Sequence, residues 1–133
     1  MIALNNYING REVRSTARTT TTIVDPVTGN AYATAPKSNA ADLDAAFRAA
    51  TDAFKTWKET TPAERQLLLL KIADALMEHQ DELAAAECKN CGKPRQLTID
   101  EELQQGADQI RFFAGACRVL EGKSAGCYMR GML

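Results

Sequence analysis

Cys88-Lys89-Asn90-Cys91 is one spacing in this chain of 133 residues that could do chemistry. Two thiols two residues apart can hold zinc or cycle to a disulfide. A structural zinc site needs four ligands, and Cys117 and Cys127 form no second pair of this kind. A redox pair needs a helix N-terminus to favour the thiolate. This pair is expected at a helix C-terminus, whose dipole disfavours it. Gly122-Lys123-Ser124 resembles the end of a phosphate-binding loop, but such a loop needs glycine where this chain has Cys117. His79 is the only histidine, and nothing near it in sequence supplies a nucleophile or an orienting partner. It reads as a surface residue between two helices. Asp100, Glu101 and Glu102 form an acidic cluster. At the start of a helix such carboxylates stabilise the N-terminus by about 0.3–1 kcal/mol. The functional alternative is a carboxylate site for a cationic group of a substrate.

The elements that must position these residues change character along the chain. Asn6-Tyr7-Ile8, a turn at Asn9-Gly10 and Arg11-Glu12-Val13 predict a hairpin. Thr19 to Val24 is rich in β-branched residues, and Asp25-Pro26 with Thr28-Gly29 turns the chain into a partner strand from Ala31 to Ala35. From Asn39 the period becomes helical. Asn39 is an N-cap with Asp42 at the third helical position, and Leu43, Phe47, Ala50, Phe54 and Trp57 make one apolar stripe. Thr61-Pro62-Ala63-Glu64 starts a second helix, with Leu68, Leu69, Ile72, Ala73 and Leu76 inward and Leu67 and Leu70 widening that face. A third runs from about Asp81 to Asn90 and stops at Gly92 before Pro94. A fourth runs from about Asp100 to Leu120, with Leu103, Ala107, Ile110, Phe113 and Cys117 on one face. The tail after Gly122 reads as irregular. The expected class is α+β: two short amino-terminal hairpins followed by about four helices, all in one domain portion spanning 1–133.

Composition excludes several functions. Hydrophobic residues make up 45% and charged residues 25%, as in ordinary globular proteins. With a net charge of −1 and no basic run, nucleic acid and anionic membranes are poor partners. The longest aliphatic run, Leu67 to Leu70, is far below the roughly 18 residues of a membrane span. The start carries no secretory pattern, so the four thiols read as reduced and the location as cytoplasmic.

Taken in order, several blocks resemble the aldehyde dehydrogenase family. They are Tyr7-Ile8-Asn9-Gly10, Asp25-Pro26-Val27-Thr28-Gly29, Ala41-Asp42-Leu43-Asp44-Ala45-Ala46 and Ala53-Phe54-Lys55-Thr56-Trp57. Pro62-Ala63-Glu64-Arg65, Ile72-Ala73-Asp74-Ala75-Leu76, Asn90-Cys91-Gly92-Lys93-Pro94 and Ile110-Arg111-Phe112-Phe113-Ala114-Gly115-Ala116 follow. Within the family the stretch from Asp108 and the stretch Leu120-Glu121-Gly122-Lys123-Ser124-Ala125-Gly126 are most similar to aminobutyraldehyde dehydrogenases, then betaine-aldehyde dehydrogenases. Cys127 and Arg130 stand where close relatives carry glutamate.

The resemblance implies an amino-terminal portion of an α/β, Rossmann-like coenzyme domain within a homo-oligomeric, NAD-dependent enzyme that oxidises an aldehyde to its acid. It also implies that the nucleophilic cysteine, the base and the coenzyme loop lie beyond residue 133, so no catalytic or coenzyme-binding residue is assigned here and the chain alone is expected to be inactive. The helices would pack on a coenzyme sheet, and without it the chain is expected to self-associate. Two sites carry over. Glu101, Glu102 and Gln105 match positions facing the substrate tunnel, with Glu102 the leading candidate to meet a substrate amine. The backbone of Ile23 or Val24 and the side chain of Asn90 match a monovalent cation site, weakened because many relatives have Asp at that position. The alternative reading is a non-catalytic helical module that binds a partner such as an intact related subunit.

Overall fold

The structure, a computed structural model, describes residues 1–121. Gly122-Lys123-Ser124, Cys127, Arg130 and the tail expected to be irregular lie outside the described residues. Two compact units are present. The first takes in residues 1–59 and 90–92, the second 60–89 and 93 onward.

In the first unit, β2 (Asn6–Ile8) and β3 (Arg11–Val13) pair antiparallel with Ile8 opposite Arg11. The two-residue turn needs positive φ at both positions, and Asn9 and Gly10 supply it at 54° and 75°. β4 (Thr20–Val24) pairs antiparallel with β5 (Ala31–Pro36), as expected. An unexpected strand, β1 (Ile2–Ala3), adds to the other edge of β5 in parallel. The second hairpin is thus part of a three-stranded sheet in the order β1-β5-β4. Two residues are too few for a periodic signal, and only the exposed edge of β5 makes them a strand. Ile23 faces Ala33 and Val24 faces Ala31, so Tyr32 is the extra residue of a bulge.

α1 (Ala40–Trp57) starts as the sequence predicts. The Asn39 side chain accepts from the Asp42 amide at 3.1 Å, and Asp42 returns a bond to the Asn39 amide at 3.2 Å. Its covered side differs from expectation. Asp42, Ala45, Ala46 and Ala49 turn inward, whereas the apolar stripe Leu43, Phe47, Ala50, Phe54 and Trp57 is exposed along its length.

In the second unit, α2 (Pro62–Glu78) begins with Thr61 and Glu64 in a reciprocal cap and proline at its first position. α3 (Gln80–Cys91) runs one residue beyond the expected span at each end and is stopped by Gly92 at φ 77°. The expected fourth helix starts earlier and is not uniform. It comprises α4 (Arg95–Leu97), a π-helical stretch at Thr98–Leu103 and α5 (Gln104–Ala116). The Gln104 amide bonds the Ile99 carbonyl, five residues back.

The core of this unit is built from small residues. Ala73 on α2 and Ala107 and Ala114 on α5 are fully buried, as is Ala84 on α3. Alanines let helix axes approach closely, and α2 and α5 pack on each other there. Three expected positions shift. Ala114 takes the buried place predicted for Phe113, and Leu68 and Ile72 of α2 are partly open. Ala114 stands seven residues after Ala107 and shares its face of α5, whereas Phe113 is turned about 100° away from it. Arg111 reaches Asp74 at 3.0 Å, and Arg118 reaches Gln66 at 3.3 Å, bordering this contact.

Candidate functional site

The acidic cluster lies inside the π-helical stretch, not in a first helical turn. Helical backbone begins at Arg95, so Asp100 is already in the second turn. Orphan amides and the helix dipole act mainly within the first turn, so they do not account for Glu101 and Glu102. Thr98 and Ile99 are buried and anchor the stretch, and Thr98 Oγ1 donates to the Pro94 carbonyl at 3.3 Å. Glu101, Glu102 and Gln105 are all exposed.

Their partners set them apart. Glu102 forms an ion pair with Lys93. Asp100 accepts from the Gln96 amide at 3.0 Å on both oxygens. Among the described residues no ion pair involves Glu101. The charge of Glu102 is thus compensated locally, whereas Asp100 is held only by a neutral amide and Glu101 has no ion pair, so these two carry the uncompensated negative charge of the cluster. Sequence reading missed Lys93 as a partner, because the pairing spans nine residues across a helix start.

The second candidate set lies in the first unit. Ile23 and Val24 flank the bulge opposite Tyr32. The Tyr32 hydroxyl donates to Asn90 Oδ1 at 3.4 Å. An amide oxygen has two lone pairs, so one remains for a cation. Backbone carbonyls and an amide oxygen are hard, neutral donors of the kind a monovalent cation accepts, with no carboxylate to add charge.

The remaining chemistry-bearing residues are dispersed. Cys88, Cys91 and Cys117 are free thiols, and the Cys88 sulfur lies 3.9 Å from Thr98 Oγ1. Among the described residues no three His, Cys, Asp or Glu side chains gather around a metal-sized space. His79 caps α2 at its surface, with Nδ1 3.5 Å from the Glu82 carboxylate. A groove of about 560 Å³ runs beside Tyr7, Ile8, Asn39 and Leu43, and includes Asp42. That carboxylate is already committed to the Ser15 hydroxyl and the Thr16 amide, at 2.5 and 2.9 Å. Described glycines sit in hairpin turns, after α3 or within α5, and none forms a strand-to-helix phosphate cradle. No described helix is long and apolar enough to cross a membrane.

A hairpin and a small sheet followed by capped helices, with carboxylates in a π turn and no nucleophile–base pair among the described residues, define an α+β scaffold that can line a site. The chain belongs to the aldehyde dehydrogenase family, whose profile matches residues 13–132. Fluoroacetaldehyde dehydrogenase of Streptantibioticus cattleyicolor is 43% identical over 97 residues, 73% of this chain and 19% of that protein. The chain therefore spans about a fifth of that relative's length. An aldehyde dehydrogenase of Bacillus cereus, solved with NAD+, is similar at 35% identity and TM-score 0.79, over 85% of this chain and 23% of that one. One from Bartonella henselae matches at 26% identity and TM-score 0.86, over 99% of this chain and 28% of that one. These matches bear out the α+β architecture and the family named from the sequence blocks.

Proposed function

We propose that this chain forms one wall of the substrate passage in an NAD-dependent aldehyde dehydrogenase that oxidises an aminoaldehyde, such as 4-aminobutyraldehyde, to its acid. The observation that supports this reading is the position of Glu101 and Glu102 within a π-helical stretch. Carboxylates in a first turn serve the helix, and these do not. Single π turns recur at functional sites because they displace side chains from the regular helical face. Glu101, with its charge uncompensated, is the group that meets the substrate ammonium. Glu102 is held by Lys93, and Gln105 adds a neutral polar surface. A tenfold preference for a cationic substrate needs only about 1.4 kcal/mol, within reach of one partly desolvated charge pair.

NAD is the coenzyme of this reading and accepts the hydride. In this reading the described residues act on the substrate side. The 133-residue chain itself turns nothing over. Ile23, Val24 and Asn90 weakly hold a monovalent cation, the assembled enzyme is a cytoplasmic homo-oligomer, and its ligands are small molecules.

The test is a graft. Residues 93–105 replace the matching segment of an intact aldehyde dehydrogenase, and kcat/KM is measured for 4-aminobutyraldehyde and butyraldehyde. The ratio is expected to rise by about tenfold, to fall back with Glu101→Gln and to persist with Glu102→Gln. An unchanged ratio would sink the substrate assignment. NADH formation by the purified 133-residue chain would overturn its non-catalytic role.

A further inference from the structure

We propose that Asn9 is a site of spontaneous covalent modification: the backbone nitrogen of Gly10 attacks its side-chain amide, and the residue becomes aspartate or isoaspartate. Both reacting groups belong to neighbouring residues, so the chemistry requires no partner surface. The Gly10 nitrogen gives up its proton to solvent base and bonds to Asn9 Cγ. The bond from Cγ to the amide nitrogen breaks, and that nitrogen takes a proton from water and leaves as ammonia. Water then opens the cyclic imide. Addition at the side-chain carbonyl gives aspartate, and addition at the main-chain carbonyl gives isoaspartate.

The structure singles this residue out. Asn9 is exposed, and among the described residues neither its side chain nor the Gly10 amide makes a hydrogen bond. Gly10 has no Cβ to hinder attack by its nitrogen. Each of the other five asparagines precedes a residue with a side chain. Asn5 is bonded to Glu12, Asn6 to Ser38, Asn39 to the Asp42 amide and Asn90 to the Tyr32 hydroxyl. The fold gates the reaction. Positive φ at Asn9 and Gly10, 54° and 75°, marks a turn whose first central ψ is about +30°. That angle points the Gly10 nitrogen away from the Asn9 side chain, so the hairpin must open before the ring closes. Opening costs little, because β2 and β3 hold three residues each and pair only with one another. The two products then diverge. Aspartate at this position still suits the turn, whereas isoaspartate adds a methylene to the main chain and breaks the register of Ile8 with Arg11.

Incubating the 133-residue chain in mildly alkaline buffer tests this, with peptide mapping by electron-transfer mass spectrometry to separate aspartate from isoaspartate. Asn9 is expected to convert roughly tenfold faster than any other asparagine. In guanidinium chloride its rate should rise by about tenfold again, because unfolding removes the gate. Asn9→Asp, which keeps the turn, should abolish the early release of ammonia. Conversion of another asparagine first overturns the proposal. A rate at Asn9 that unfolding leaves unchanged overturns the gating by the hairpin, and ammonia release indifferent to Asn9→Asp removes this residue from the reaction.

Discussion

The Ser15 hydroxyl donates to Asp42 Oδ2 at 2.5 Å, joining residues 27 apart in sequence. Thr16 adds its amide at 2.9 Å and its hydroxyl at 3.0 Å to Oδ1 of the same carboxylate. The segment after the first hairpin is thereby tied to the first turn of α1. Asp42 closes the helix cap and anchors the chain that precedes it.

This arrangement makes the fold acid-sensitive in a defined window. The Ser15 hydroxyl first, then the Thr16 amide, hold the Asp42 pKa down from 3.8 to about 2. The unfolded chain therefore takes up the proton first as pH falls. The contribution of Asp42 is complete above about 3.8, declines towards 2 and is absent below. Asp42→Asn should lower stability at neutral pH and flatten the pH dependence within that window. Thermal melts of both proteins from pH 5 to 2 would show parallel curves if Asp42 carried no such role.

Gly92 and Gly10 separate backbone strain from steric conflict. Both have φ near 75°. A Cβ at Gly92 would lie 3.1 Å from Pro26 Cγ, whereas one at Gly10 meets nothing within 4 Å. Gly10→Ala should cost about 1 kcal/mol from φ alone. Gly92→Ala should cost more, about 2–3 kcal/mol, because the turn at Pro26 must move. Equal losses in urea melts would mean that the Pro26 contact yields freely.

The alanine contact between α2 and α5 should resist enlargement. Ala107 is fully buried, so Ala107→Leu should destabilise by about 1–3 kcal/mol through overpacking. Phe112→Leu, at an exposed position on α5, should change stability by less than about 0.5 kcal/mol. Chemical denaturation of the two variants checks the contrast, which fails if both behave alike.

Restoring charge at the candidate cation site should strengthen it. Asn90→Asp keeps an oxygen near the Tyr32 hydroxyl and adds a negative charge. Its melting temperature should rise with added potassium or sodium at constant ionic strength, against a choline control, by more than that of the parent chain. An equal response would remove residue 90 from cation binding.

Much of the local structure was legible from residue order. Asn9-Gly10 specified its hairpin because both turn positions need positive φ. Asn39 with Asp42, and Thr61-Pro62 with Glu64, specified two helix starts because a cap is satisfied by neighbours in the chain. The family was legible for the same reason, since its blocks are contiguous runs in a set order. Within the candidate passage, Glu101, Glu102 and Gln105 were nameable by position, but their inequality was not.

What only the tertiary structure decided depends on residues far apart. β1 exists because β5 offers a free edge. The helical backbone starts at Arg95, which takes the acidic cluster out of a first turn, and packing on α2 selects the Ala107 and Ala114 face of α5 over Phe113. Lys93 neutralises Glu102 and leaves the charge of the cluster to Asp100 and Glu101. Periodicity predicts that a stripe is apolar, but it does not say what covers it, and α1 shows the difference. Side-chain burial, pairing and charge compensation are set by through-space neighbours, and a linear pattern carries only the part of them that is local.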